Sequence, residues 1–159
     1  KPLSVSVLVE DRSRKIIGLE VSKIAAFGHL SKIARRKYGR RESDLRKGLQ
    51  SLLIEARPYI AEEALFISDE HQLYQKLIPR VFPRASHELH KSIKASVAGQ
   101  GELKRSRRDP LFSINHTLAM LRANVNRLIR RTWCTTKMPS SLKDHLDLYI
   151  SVHNQILTA

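Results

Sequence analysis

Acidic residues are in short supply in this chain. Fifteen Asp and Glu stand against twenty-nine Lys and Arg, leaving a net charge of +14. Cysteine is also scarce: Cys134 is the only one, which excludes an intrachain disulfide and any zinc site built on a cysteine pair. A reducing compartment fits, with Cys134 read as a filler near a helix end. Long apolar runs are absent. None approaches the roughly 20 residues that a membrane-spanning helix needs. No signal peptide opens the chain, which starts at Lys1 rather than Met, and this start points to a piece of a longer product. An apolar fraction of 42% is ordinary for a globular protein and argues against wholesale disorder. The length suits one domain spanning residues 1–159.

The positive charge is clustered. Arg35, Arg36, Lys37, Arg40 and Arg41 form one group, Lys104, Arg105, Arg107 and Arg108 a second, and Arg127, Arg130 and Arg131 a third. Clustered Lys and Arg neutralise phosphates and release counterions, so nucleic acid is the first partner to consider. The plain alternative is a solvated basic surface, or a ribosomal or membrane-surface contact.

Periodicity predicts a β-hairpin first, with strands over residues 3–9 and 15–21 around a polar turn at 10–14. These read as the second and third strands of a mixed sheet. Ser22 is read as the cap of a short helix running to about Lys37 and ended by Gly39. Ser43 is the expected cap of the next helix, whose Leu45, Leu49, Leu52, Leu53 and Ala56 recur at helical spacing until Pro58. Residues 64–68 are mostly apolar, as a strand buried on both faces would be. A helix is expected from there to Ile78, broken by Pro79 and Pro83. Residues 86–94 are read as a strand and 97–109 as a surface loop.

Asp109 and Pro110 then open the clearest amphipathic pattern in the chain: Leu111, Ile114, Leu118, Leu121, Val125 and Leu128. A last helix over 140–155 carries Leu142, Leu146, Tyr149 and Ile150, with His153 on the same side. No internal repeat or low-complexity linker interrupts the chain. Strand, strand, helices, strand, helix, strand, long helix, helix is the order of an α/β or α+β domain with a mixed sheet.

Asp69 is the best candidate for chemistry. A carboxylate closing a buried strand stands at the edge where α/β sheets present ligands, and carboxylates are what Mg²⁺ prefers. The competing reading makes Asp69 a helix cap. Asn115 is the second candidate. On an ideal helix Arg122 and Asn126 each point within about 20° of Asn115. This stripe would place the amide near a metal and the arginines along DNA phosphates. The competing reading is a solvated helix face. His87-Glu88-Leu89-His90 invites a metal reading, but its spacing is not that of a helical His pair and its pattern is that of a strand. The chain has no G-x-S-x-G elbow and no Walker-type phosphate loop.

Two segments carry a resemblance. Phe66-Ile67-Ser68-Asp69-Glu70-His71 looks like the strand-end motif bearing the second aspartate of DDE-type insertion-sequence transposases. The stretch 115–137, with its tail Arg127-Leu128-Ile129-Arg130-Arg131-Thr132-Trp133-Cys134, resembles the helix and basic tail of small transposases reading R-L-x-R-x-T-x-C. The resemblance runs from Lys1 to about Asn154 and is strongest over the last third. It implies a ribonuclease H-like α/β fold, a mixed sheet flanked by helices with a helical C-terminus. Two departures stand out. Asn115 occupies the position of the family's third acidic residue, and the first strand, which carries the family's first aspartate, is missing before the hairpin. Asp11, in the hairpin turn, is a poor substitute.

What the resemblance implies is DNA transposition: phosphodiester cleavage, then strand transfer, by Mg²⁺ (or Mn²⁺) held on Asp69, Asn115 and the absent aspartate. Arg122, Asn126, Arg127, Arg130, Arg131, Lys137, Arg105, Arg107 and Arg108 are the expected DNA contacts. The partners would be double-stranded DNA, transposon ends and target, and a second copy of the chain, in a bacterial cytoplasm and without a membrane. With Asp69 and Asn115 alone, the chain by itself is expected to be inactive. A non-catalytic nucleic-acid-binding protein and a mobile-element remnant are the alternatives.

Overall fold

The computed structural model describes residues 3–26, 28, 31–91, 109–128 and 138–157. Strands β1 (Leu3–Val9) and β2 (Ile16–Lys23) form the expected antiparallel hairpin. Its two faces differ in kind. Leu3, Val5, Val7 and Val9 of β1 and Ile16, Leu19 and Val21 of β2 all turn to one apolar cluster. The opposite face carries the paired positions Ser4–Ser22, Ser6–Glu20 and Leu8–Gly18. The strict alternation of the strands separates the two sets. It holds past the turn because the register shifts between Leu8 and Val9, which leaves Ile17 as the extra residue and pairs Val9 with Ile16. Without that bulge, Ile16 would fall on the other face.

Helices α1 (Ser31–Tyr38) and α2 (Leu45–Ala56) follow. Ser22 does not cap α1, because β2 continues through it and buries it. Gly39 does end α1, at a φ of 75° that glycine adopts without strain. The start of α2 is tied to the end of β2: the Asp44 carboxylate accepts the Lys23 N–H, and Asp44 N–H donates to the Lys23 carbonyl. The small residues on the second face of the hairpin let α2 lie close. Gly48 sits against Ser22 and Glu20, and Gly18 sits under Leu52.

A short 3-10 turn, Arg57–Tyr59, holds Pro58 and ends α2 where expected. Strand β3 (Leu65–Ser68), helix α3 (Gln72–Val81) and strand β4 (Ser86–Leu89) come next, with β3 and β4 paired in parallel. Pro79 does not break α3 but stands inside it. The bond it forfeits is to the carbonyl of Gln75, on the exposed side of the helix. Buried Leu77, Ile78 and Phe82 hold the helix on both sides of the proline.

Helix α4 (Phe112–Asn124), a 3-10 turn (Asn126–Leu128) and helix α5 (Pro139–Ile156) complete the described chain. Asp109 serves the turn before α4, accepting the Leu111 N–H at 3.0 Å. The expected apolar stripe of α4 faces the core, with Leu111, Leu121 and Val125 buried. The helix is shorter than its pattern. Val125 is extended at φ −106° and ψ 98°, and the Asn124 amide donates to the Met120 carbonyl at 2.9 Å. That side-chain bond folds the Asn124 amide back onto the last turn of the helix.

Two core clusters result. The first joins the hairpin to α4 and α5 around Leu121, Leu142 and Leu146. The second joins α2, β3 and α3 around Leu53, Phe66, Leu77 and Phe82. Each fully buried Leu or Phe contributes on the order of 1.5–3 kcal/mol by leaving water. Helix α2 serves both halves, packing on the hairpin and supplying Leu49, Leu52 and Leu53 to the second cluster. The architecture is mixed α/β. In place of one mixed sheet, the described residues form an antiparallel pair and a parallel pair, so among the described residues each of the four strands keeps one unpaired edge.

Candidate nucleic-acid interface

Asp69 stands half-buried at the end of β3, as its sequence position predicts. Its Oδ1 accepts the His71 N–H at 3.1 Å, opening the turn into α3. The cap of α3 itself is His71, whose Nδ1 accepts the Leu73 N–H at 3.3 Å. Asp69 therefore shapes the turn without occupying the cap. Tyr74 lies close by. Burial, and then the Asp69 charge, push its phenol above the ordinary range.

His87 on β4 shares a hydrogen bond of 2.8 Å between its Nε2 and Ser68 Oγ, and that hydroxyl donates to the Asp69 carbonyl at 2.9 Å. With Ser68 donating onward, His87 Nε2–H is the donor of the first bond. Partial burial holds this imidazole below its ordinary 6.5. The strand pair is thus fastened beside Asp69. Sequence reading placed His87 on a strand but gave it no role, since the parallel register that sets it against Ser68 is a non-local fact.

Asn115 is exposed on α4, and its Nδ2 donates to Asp109 Oδ2 at 3.2 Å. Arg122, seven residues on, shares its face and is also exposed. Asn126 leaves that stripe because α4 ends at Asn124. It sits on the following 3-10 turn beside Arg127, both exposed. Arg105, Arg107, Arg108, Arg130, Arg131 and Lys137 lie outside the described residues. Asn154, which the sequence did not single out, brackets the backbone of Ile16 at the bulge, with both bonds at 2.9 Å.

Asp69 and Asn115 belong to different halves, one on the turn between β3 and α3, the other on α4. Among the described residues no hydrogen bond or ion pair joins them. Cavities of about 560 Å³ beside Pro58 and Phe82 and about 480 Å³ between Arg14, His116 and Tyr149 are lined by neither. No three His, Cys, Asp or Glu side chains among the described residues gather as a metal site needs. No described helix is long and apolar enough to cross a membrane. No family model, curated protein or solved structure matches the chain.

Proposed function

We propose that this chain binds duplex DNA as the body of a DDE-type insertion-sequence transposase. The observation that carries the reading is charge without compensation. Arg84 pairs with Glu62 at 2.7 Å, and Lys143 lies between Glu20 and Asp147. Even with each of the fifteen carboxylates matched to one cation, fourteen of the twenty-nine Lys and Arg would remain. A chain so charged gains free energy by displacing counterions from a polyphosphate. Arg122 on α4 and Arg127 on the 3-10 turn after it are exposed and are two of the expected contacts, whatever side-chain partners they also keep.

The order of elements and the parallel pairing of β3 with β4 support a ribonuclease H-like arrangement, in which one further strand on an unpaired edge would complete a mixed sheet. Asp69, closing β3, is the residue that would face the scissile phosphate. Work on two DNA ends would call for two copies, on the chromosome of a bacterial cell. With only Asp69 and Asn115 of the triad in the chain, binding without cutting is the expectation for this chain alone.

The test is a titration of the purified chain with a mixed-sequence DNA duplex over a range of salt concentrations. The expected result is a linear fall of log K with log salt, about a thousandfold between 50 and 200 mM for six phosphate contacts. Supercoiled plasmid should stay intact with Mg²⁺ or Mn²⁺. In a longer parent carrying the first aspartate, Asp69→Ala should abolish nicking and leave the duplex affinity nearly unchanged. Affinity indifferent to salt would defeat the binding claim, and nicking that survives Asp69→Ala would defeat the transposase assignment.

A further inference from the structure

We infer that α1 is a dedicated duplex-DNA anchor, built on Lys32, Arg35 and Arg36 and made helical in earnest by the phosphates it meets. The inference rests on the reading that the chain binds DNA, and it assigns that binding to an element outside both core clusters.

Helix α1 has eight residues and none of them is buried. Ile33 and Tyr38 are 64% and 73% exposed, so even its large apolar side chains find no cover. An isolated helix of fewer than about 12 residues is marginal in water, because nucleation is costly and few bonds follow it. Helices in proteins overcome this by packing an apolar face, which α1 does not do. Its basic last turn complements the helix dipole, but that contributes only about 0.3–1 kcal/mol. A stabilising partner is therefore wanted, and the side chains name its chemistry.

Residues 32–41 hold six cations, Lys32, Arg35, Arg36, Lys37, Arg40 and Arg41, and no acid. On the helix, Lys32, Arg35 and Arg36 share an arc of about 100°. Lys37 lies instead toward the Tyr38 ring, 5.4 Å from its centroid. An anionic membrane fits less well than DNA. Interfacial helices need a broad apolar face, whereas Lys37 falls between Ile33 and Ala34 around the helix and divides the apolar side. DNA asks for no apolar face and presents one charge per about 1.7 Å of axis, enough to engage three clustered cations at once.

The position of α1 makes the test clean. Removing its cations touches no core residue, and alanine favours the helix, so the triple variant K32A/R35A/R36A should melt like the wild type. Its salt slope on a mixed-sequence duplex should be shallower by about 2–3, given about 0.9 per phosphate contact. Arg35→Lys with Arg36→Lys should keep the wild-type slope. A control of equal charge, K76A/R80A/K91A, removes three exposed cations elsewhere and should leave the slope unchanged. Amide exchange over 31–38 should slow when duplex is added.

An unchanged slope in the α1 variant, with normal wild-type binding, would overturn the anchor and leave the DNA reading standing. An equal change in the control would overturn it too, in favour of diffuse charge. Tighter α1-dependent binding to phosphatidylserine vesicles than to duplex would replace DNA with a lipid surface. Failure of the wild type to bind duplex at all would overturn both proposals.

Discussion

Thr117 carries its hydroxyl into the interior of α4's buried face, wholly shielded from solvent and with no hydrogen-bond partner for Oγ1 among the described residues. A polar atom desolvated without a partner costs about 1–3 kcal/mol. Thr117→Val removes that atom and nearly keeps the shape. Thermal unfolding should show the variant equal to the wild type or more stable by up to about 1 kcal/mol; a clear loss would mean that the hydroxyl finds a partner. Residue-scale facts of this kind were the least legible in the sequence. The apolar stripe through Leu111, Leu121 and Val125 could be read from spacing, but the burial of Thr117 could not, because a threonine breaks the apolar pattern. The place of Asp69 at the end of β3 was legible, because the apolar run stops there. His87 and Asn154 were not, because their roles depend on partners 19 and 138 residues away.

Elements were more legible than their ends. The hairpin, β3 and α5 stand close to where alternation and helical spacing put them. The misreadings fall at boundaries: α4 ends at Asn124, short of its apolar pattern, α3 continues through Pro79, and β2 extends through Ser22. The contact between α2 and the hairpin shows what an element interface demands. A Cβ added to Gly48 would overlap Ser22 Oγ and press on Glu20 Cγ at 3.1 Å. The helix cannot retreat without pulling Leu49, Leu52 and Leu53 out of the second cluster. Gly48→Ala should therefore lose about 1–3 kcal/mol in denaturant melts, despite alanine's better helix propensity. Pairing it with Ser22→Gly should recover much of the loss; no recovery would place the strain elsewhere.

At the scale of the whole molecule, the order of elements was readable and their assembly was not. Nothing in local pattern says that β1–β2 and β3–β4 form separate pairs, or that α2 is the piece common to both halves. His87 offers a probe of the second half. Its folded imidazole binds a proton less readily than its ordinary 6.5, so the unfolded chain is protonated first as pH falls. Stability tied to this site is complete above about pH 6.5 and is lost as pH drops through the lower, folded value. Melting temperature should fall from about pH 7 to pH 5, and His87→Gln should flatten part of that fall. An unaltered profile in the variant would remove His87 from the account.

The strand edges left unpaired among the described residues have a colloidal consequence. Unpaired strand edges template further strands, and the mutual repulsion of chains at +14 opposes that pairing. Salt screens that repulsion within a Debye length of roughly 8 Å at physiological strength. The ions that would strip nucleic acid from the chain thus also lower its guard against self-association, which makes a bound polyanion as much a solubiliser as a cargo.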